Sequence, residues 1–127
     1  MQKLLKNIPD ERLRMYVVWL PMMVKDDRAA AVEFSAECKD SRVVNYWDGP
    51  RRTGKAWQQL LDLSVSAWDV YFVYGADVRW TDAAPPKPAF WMHQLGKKGT
   101  DKGAPLLNEA ELEAKVREQL RNLHSSK

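Results

Sequence analysis

The sequence contains a single cysteine, Cys38, among 127 residues. One thiol can form neither an intramolecular disulfide nor a thiolate metal cluster. No apolar run reaches the ~20 residues that cross a membrane. The opening stretch MQKLLKNIPDERLRMY also lacks the apolar core and the small-residue cleavage site of a secretory signal. We therefore expect a cytoplasmic protein with no membrane association, no cofactor and no bound metal.

Positive and negative charges are mixed along the chain. Lys and Arg total 20 against 17 Asp and Glu, which gives a net charge of +3 and a pI of about 9.0. A nucleic-acid module usually concentrates its basic residues on one face, so nucleic acid ranks last among the partners we expect. Hydrophobic residues make up 45% of the chain. This length and composition predict a single domain over residues 1–127, with its core at about 14–123.

Alternating strand-like and helix-like patterns predict the order β-α-β-α-β-β-α. Strands are predicted at residues 14–22, 42–47, 68–75 and 89–95, and helices from Asp26 and Asp27, from Thr53 and from Asn108. The unbroken apolar run YVVWL at residues 16–20 is typical of a central strand covered on both faces. The last two strands form a hairpin and are therefore antiparallel; residues 78–80 either extend it or belong to its loop. The order predicts a two-layer or three-layer α/β sandwich.

Three stretches of this pattern are similar to the core strands of thioredoxins. Residues 17–20 carry an apolar-Trp pattern, residues 43–48 form a strand that ends in Asp48, and residues 70–75 lead into a tight turn. The chain resembles a thioredoxin-like domain over roughly residues 14–123. The resemblance implies a thioredoxin-like sandwich with a mixed four-stranded central sheet.

The two specific motifs of that family are missing. The C-x-x-C motif should fall near residues 23–26, where the sequence reads MVKD, and Trp68 stands where the family has its cis-proline. Cys38 lies about three helical turns further on, and redox exchange needs a paired, activated thiolate. The chain is therefore not expected to be a thiol–disulfide oxidoreductase. Its motifs VVWLPM, YWDG, AWDVY and FWMHQL also resemble a group of small bacterial proteins, from which no activity carries over.

The stretch WDGPRRTGKAW partly matches the phosphate-binding loop G-x-x-x-x-G-K-[ST]. Gly49, Gly54 and Lys55 match, but Ala56 replaces the hydroxyl that would hold Mg²⁺. The chain is therefore not expected to be a P-loop NTPase, and a strand-to-helix turn is the preferred interpretation. A weaker alternative is an anion or nucleic-acid site, because three basic residues lie beside a helix N-terminus: Arg51, Arg52 and Lys55.

A cleft at the carboxyl end of the sheet is the predicted binding site, because α/β folds place ligands there. It gathers residues next to the first three strands, with one histidine of the fourth: Pro21, Met22, Trp47, Asp48, Trp68, Asp69 and His93. We expect non-catalytic binding of a protein partner or a small ligand. The alternative is a non-redox enzyme that uses Asp48, Asp69 or His93 as an acid or base. A structural role in turns or strands is the preferred interpretation of these three residues.

Aromatic residues are abundant, with six tryptophans in the chain. Most are expected in the core. Trp80, Phe90 and Trp91 fall on or near the edge hairpin, and this Trp80–Trp91 edge is a predicted homodimer contact. Methionines, Cys38 and His93 are soft donors for copper(I), but their spacing favours core packing over a metal site.

Overall fold

The computed structural model describes residues 1–81, 84–100 and 102–125. Its elements follow in chain order: α1 (Gln2–Asn7), β1 (Met15–Trp19), α2 (Arg28–Ala36), β2 (Val43–Trp47), α3 (Arg52–Leu60), β3 (Val70–Val73), β4 (Phe90–His93), α4 (Lys97–Thr100) and α5 (Glu109–Ser125). The predicted α/β class and strand–helix order are confirmed, and two short helices, α1 and α4, are additional. Over the described residues, no helix has the length and apolar character needed to cross a bilayer.

The four strands form two separate sheets, so the predicted mixed four-stranded sheet is wrong for the described part of the chain. β1 pairs with β2 in parallel, from Met15 opposite Val43 to Trp19 opposite Trp47. β3 pairs with β4 antiparallel, as the predicted hairpin requires. The contacts of the chain divide into a first unit, Met1–Arg52, and a second unit, Thr53–Lys127.

The prediction failed because two stretches whose sequence is typical of interior strands are either exposed on one face or not extended throughout. Tyr16 of β1 is 63% exposed and Tyr46 of β2 is 53% exposed, so one face of the parallel pair is open to solvent. Asp69 has φ of 49°, outside the extended region, and β3 therefore begins only at Val70. The apolar run of β1 is thus not a strand covered on both faces.

The first unit is organised around Arg42, which is only 6% exposed. Its guanidinium donates to the main-chain oxygens of Leu5 (2.8 Å) and Ile8 (2.5 Å) at the end of α1. It also forms a fork with Asp40, from Nε to Oδ1 at 2.9 Å and from Nη2 to Oδ2 at 2.6 Å. Carbonyls at a helix C-terminus lack partners within the helix, so Arg42 satisfies the end of α1 and orders the segment before β2.

α2 packs beside one face of the parallel pair. The Asp27 carboxylate accepts from Ala30 N at 2.8 Å and caps the helix, close to the predicted start. Trp19 of β1 stacks with Phe34 of α2 at 6.4 Å between ring centroids. On the opposite face of the strands, Tyr16 and Tyr46 stack on each other at 6.4 Å.

The second unit packs α5 against the hairpin. Met92 of β4 is fully buried and Leu112 of α5 is 3% exposed. Asn108 caps the helix, because its side-chain oxygen accepts from Glu111 N at 3.0 Å, as the sequence predicted. The Lys115 ammonium lies 5.3 Å above the ring of Phe90.

Candidate functional site

The residues of the predicted cleft fall in both units. Pro21, Met22, Trp47 and Asp48 belong to the first unit, and Trp68, Asp69 and His93 belong to the second. Pro21, Met22 and Trp47 are half-buried, whereas Trp68 and Asp69 are exposed. The chemical environment of each polar member distinguishes a catalytic role from a structural one.

Asp48 is buried and caps α3. Its Oδ1 accepts from Arg52 N at 3.0 Å, and its main-chain N–H donates to Trp19 O at 3.0 Å. α3 begins at Arg52, so the predicted cap Thr53 lies inside the first helical turn. A carboxylate that accepts a helix N-terminal N–H is stabilised as an anion and has a structural task.

The three basic residues of the partial phosphate-loop match, Arg51, Arg52 and Lys55, are all exposed. Arg51 turns the chain with φ of 57°. The first N–H of α3 donates to the Asp48 carboxylate, so this donor is already paired with an anion of the protein itself. This arrangement supports the strand-to-helix turn over an anion site.

Asp69 lies in the exposed turn that enters β3. Its carbonyl accepts from Gln94 N at 2.9 Å, which closes the hairpin ladder beyond Val70. Burial raises the pKa of the Tyr71 hydroxyl above its ordinary value, and the negative charges of Asp69 and Glu109 add to the rise. Asp69 thus shapes the start of the hairpin.

His93 is fully buried, and both of its ring nitrogens are bonded to main chain. Leu95 N–H donates to Nδ1 at 3.1 Å, so the proton resides on Nε2, which lies 3.1 Å from Ala104 O. A Cβ on Gly99 would come within 2.5 Å of the imidazole ring, so only glycine fits there. The ring is bonded to the main chain at Leu95 and Ala104, and neither nitrogen faces a site from which it can move a proton.

Soft and acidic side chains do not converge on a metal. Within residues 1–81, 84–100 and 102–125, no three His, Cys, Asp or Glu residues come together in a way that would hold a cation. Met92 is fully buried and its sulfur accepts from Asn108 N at 3.5 Å, whereas Met23 is 68% exposed. Core packing accounts for Met92.

The predicted Trp80–Trp91 hairpin edge is only partly a strand edge. Trp80 lies outside β3 and β4, in the loop between them, so residues 78–80 do not extend the hairpin. At the outer edge of β4, Leu107 N donates to His93 O at 2.8 Å and His93 N donates to Pro105 O at 3.3 Å. The chain itself therefore covers that edge at His93.

The ring contacts of the second unit reveal a surface that the sequence analysis missed. Trp57 of α3 stacks with Phe72 of β3 at 5.0 Å and meets Trp80 edge-on at 4.8 Å. Phe72 also lies 6.3 Å from Tyr74 and 6.4 Å from Trp91. We call these five residues the aromatic cluster. Phe72 and Tyr74 share a strand periodicity of two, but no sequence pattern connects them with Trp57 and Trp80.

Tyr74 links the aromatic cluster to a proline-containing loop. Trp57 Nε1 donates to the Tyr74 hydroxyl at 3.1 Å, and that hydroxyl donates to Pro86 O at 2.9 Å. Burial raises the pKa of the Tyr74 hydroxyl above its ordinary value, while the bond from Trp57 opposes the rise. Pro85 and Pro88 are buried and Pro86 is half-buried. The hydroxyl is thus held as a donor to this loop.

A shallow open depression of about 440 Å³ lies on the other side of α3. Its lining is mostly polar: Lys55, Gln58, Gln59, Asp62 and Leu63. The hydrogen bond from Lys102, at 2.6 Å, lowers the pKa of Asp62 below its ordinary value. Gln58 Nε2 donates weakly to Leu63 O at 3.4 Å. Two of its polar side chains, Asp62 and Gln58, thus already have partners within the protein.

Comparisons with protein-family models, with curated proteins and with solved structures found no match. The resemblance to thioredoxins stays a prediction, because it depends on element order and local pattern. The described side chains are therefore what distinguishes binding from catalysis.

Proposed function

We propose that this chain is a non-catalytic protein-binding module and that the aromatic cluster is its contact surface. The observation that carries the proposal is Trp80, which is 44% exposed although its ring is held edge-on against Trp57. Large aromatic side chains that are positioned before binding offer wide contact area at little entropic cost. Such residues dominate the binding energy of many protein interfaces.

The environment of Trp57 supports the same proposal. Its indole is fixed by a stacked ring, Phe72, and by a hydrogen bond to the Tyr74 hydroxyl. Trp80 is thus supported by a residue whose rotamer is already restrained. A partner that covers Trp80 would gain apolar contact without ordering the cluster first.

The polar candidates favour binding over catalysis. The carboxylate of Asp48 accepts a helix N-terminal N–H, and both nitrogens of His93 are bonded to main chain. An acid or base must reach a reacting group, and these two side chains are turned to structural partners instead. The enzyme alternative is the weaker of the two.

Display of a random peptide library against the immobilised full-length protein tests the proposal. We expect enriched peptides whose affinity falls by about 30-fold or more in Trp80→Ala, as truncation of a dominant interface residue implies. Trp68→Ala is the matched control, because Trp68 is the other exposed tryptophan of the second unit at 37%. The proposal fails when binding survives in Trp80→Ala, or when no peptide is enriched by the wild type and none by a Pro86→Gly/Pro88→Gly variant, which loosens the loop that contacts Tyr74.

A further inference from the structure

The loop that Tyr74 contacts has the sequence APPKP over residues 84–88, here called the proline segment. Each proline fixes its own φ near −65°, and the residue before a proline is pushed toward extended conformations. A stretch with three prolines in five residues therefore favours the polyproline II helix. Proline has no N–H, so such a segment presents carbonyl oxygens and ring faces as its means of recognition.

The aromatic cluster supplies the complementary groups. The Tyr74 hydroxyl donates to Pro86 O at 2.9 Å, and Trp57 Nε1 donates to that hydroxyl at 3.1 Å. Phe72 and Trp80 flank Trp57 on its face and edge. Aromatic grooves with hydroxyl and indole donors are one of the recurring ways in which proteins bind polyproline II segments.

We infer that the aromatic cluster binds proline-rich segments of a partner protein, and that the chain's own proline segment occupies this place and limits access to it. The inference rests on the proposed function and names the class of partner. Pro85 and Pro88 are buried while Lys87 between them is exposed, as expected of a segment that presents its prolines to the protein and its charge to solvent.

The occupying segment competes as an intramolecular ligand. A tethered segment acts at an effective concentration in the millimolar range, so a free peptide of similar chemistry meets a strong competitor. Loosening the segment should therefore raise the affinity for an added proline-rich peptide. Removal of the Tyr74 donor should lower it.

Fluorescence anisotropy with a labelled APPKPA peptide tests the inference on the full-length protein, with AAAKAA as the control peptide. The Pro86→Gly/Pro88→Gly variant should bind APPKPA at least about tenfold more tightly than the wild type, because the competitor is weakened. Pro86→Ala is the milder second variant, for which we expect a smaller gain. Amide exchange of β3 and β4 verifies that each variant keeps its hairpin.

Tyr74→Phe in the loosened background keeps the ring but removes the hydroxyl that donates to the proline carbonyl and accepts from Trp57 Nε1, and we expect about tenfold weaker binding. Tyr71→Phe is the matched control three residues earlier, in β3, since its hydroxyl donates to Gln94 Oε1 at 3.2 Å and not to the proline segment. Equal losses in both variants would overturn the inference.

The outcomes separate this inference from the proposed function. Trp80-dependent peptides without prolines would leave the proposed function intact and overturn the inference. Equal binding of APPKPA and AAAKAA would overturn it as well. It would also be overturned if no folded variant binds APPKPA more tightly than the wild type does. If the peptide library yields no Trp80-dependent binder and APPKPA does not bind, both proposals fail together.

Discussion

The two units bury different chemistry at their centres. The first unit encloses the charged guanidinium of Arg42, which pairs with the half-buried Asp40. The second unit encloses the imidazole of His93, beside Met92 and Leu112, all almost without solvent contact. The first therefore depends on an ion pair and on hydrogen bonds to main-chain oxygens, whereas the second depends on close packing around a ring that is bonded only to main chain.

The outer aromatic residues differ in the same way. In the first unit, Tyr16 and Tyr46 stack on an open strand face, and both are more than half exposed. In the second unit, Trp57 and Tyr74 are restrained by a hydrogen bond to each other and by neighbouring rings. Exposure alone does not make a contact surface, because a rigid ring loses less entropy on binding than a mobile one.

Arg42→Met should have the largest effect and should be confined to the first unit. The substitution leaves Asp40 and the oxygens of Leu5 and Ile8 without the partner that satisfies them, and unpaired buried polar groups are strongly destabilising. We expect β1 and β2 to lose all measurable amide protection while β3 and β4 keep theirs. Hydrogen exchange read strand by strand measures this.

Arg12→Met is the matched control for that experiment. Asp10 and Arg12 repeat the Asp-x-Arg spacing of Asp40 and Arg42, with the same 2.6 Å contact from Nη2 to Oδ2, but the Arg12 side chain is 44% exposed. Exposed ion pairs contribute little, so protection should stay close to wild type. Similar losses in both variants would show that burial is not what distinguishes the two pairs.

Acid should have the second-largest effect and should destabilise the first unit before the second. Hydrogen bonds from Arg42 lower the pKa of Asp40 from 3.8 to about 2. Because the folded pKa is the lower one, this contribution to stability is complete above the unfolded value and is lost as pH falls from about 4 toward about 2. Protection of β1 and β2, corrected for intrinsic exchange rates, should fall in that window before protection of β3 and β4.

Asp40→Asn distinguishes this ion pair from general acid unfolding. The amide cannot titrate, so the early acid step in β1 and β2 should vanish, although the variant starts from lower stability. Asp62 also has a lowered pKa, through Lys102, but its side chain is 92% exposed and water screens the pair. An acid step of equal size in the second unit would contradict the comparison.

Local signals predicted the elements well. These signals act through neighbours in sequence: the apolar runs around Val17, Val43 and Val70, and the caps Asp27 and Asn108. The corresponding strands and helices are present, and the strands are shorter than predicted. α1 has no such signal, because its last carbonyls are satisfied by Arg42, more than 30 residues away. The pattern of apolar residues likewise did not predict the left-handed backbone at Asp69.

The candidate surface was harder to predict than the elements. Trp57 comes from a helix, Phe72 from a strand and Trp80 from a loop. Only tertiary packing brings the ring centroids of Phe72 and Trp80 to 5.0 Å and 4.8 Å from that of Trp57. The predicted cleft instead lies at the ends of the strands, because that prediction assumes one continuous sheet. Because its members fall in two sheets and two units, the cleft stays a prediction.

Gly99→Ala should have a moderate effect, confined to the second unit. The new Cβ would lie 2.5 Å from the His93 ring, which is fully buried and held at both nitrogens. Overpacking of this kind costs about 1–3 kcal/mol. Gly49→Ala is the control in the first unit, where the nearest atom, Trp47 Nε1, is 3.1 Å away on a side chain that is half-buried. Urea unfolding measures the difference when it is followed on the hairpin for Gly99→Ala and on β1 and β2 for Gly49→Ala, and equal costs would mean that the His93 ring can move aside.

Lys115→Gln should have the smallest effect, because it removes one partly exposed cation from the face of Phe90. The ammonium also lies 3.3 Å from Glu118 Oε2, so the single substitution removes two interactions. A double-mutant cycle with Phe90→Leu isolates the contribution of the ring. We expect a coupling free energy of unfolding of about 0.5–1 kcal/mol, measured by urea unfolding. A coupling near zero would mean that the cation over Phe90 does not help to hold α5 on the hairpin, which would sharpen the contrast with the charged centre of the first unit.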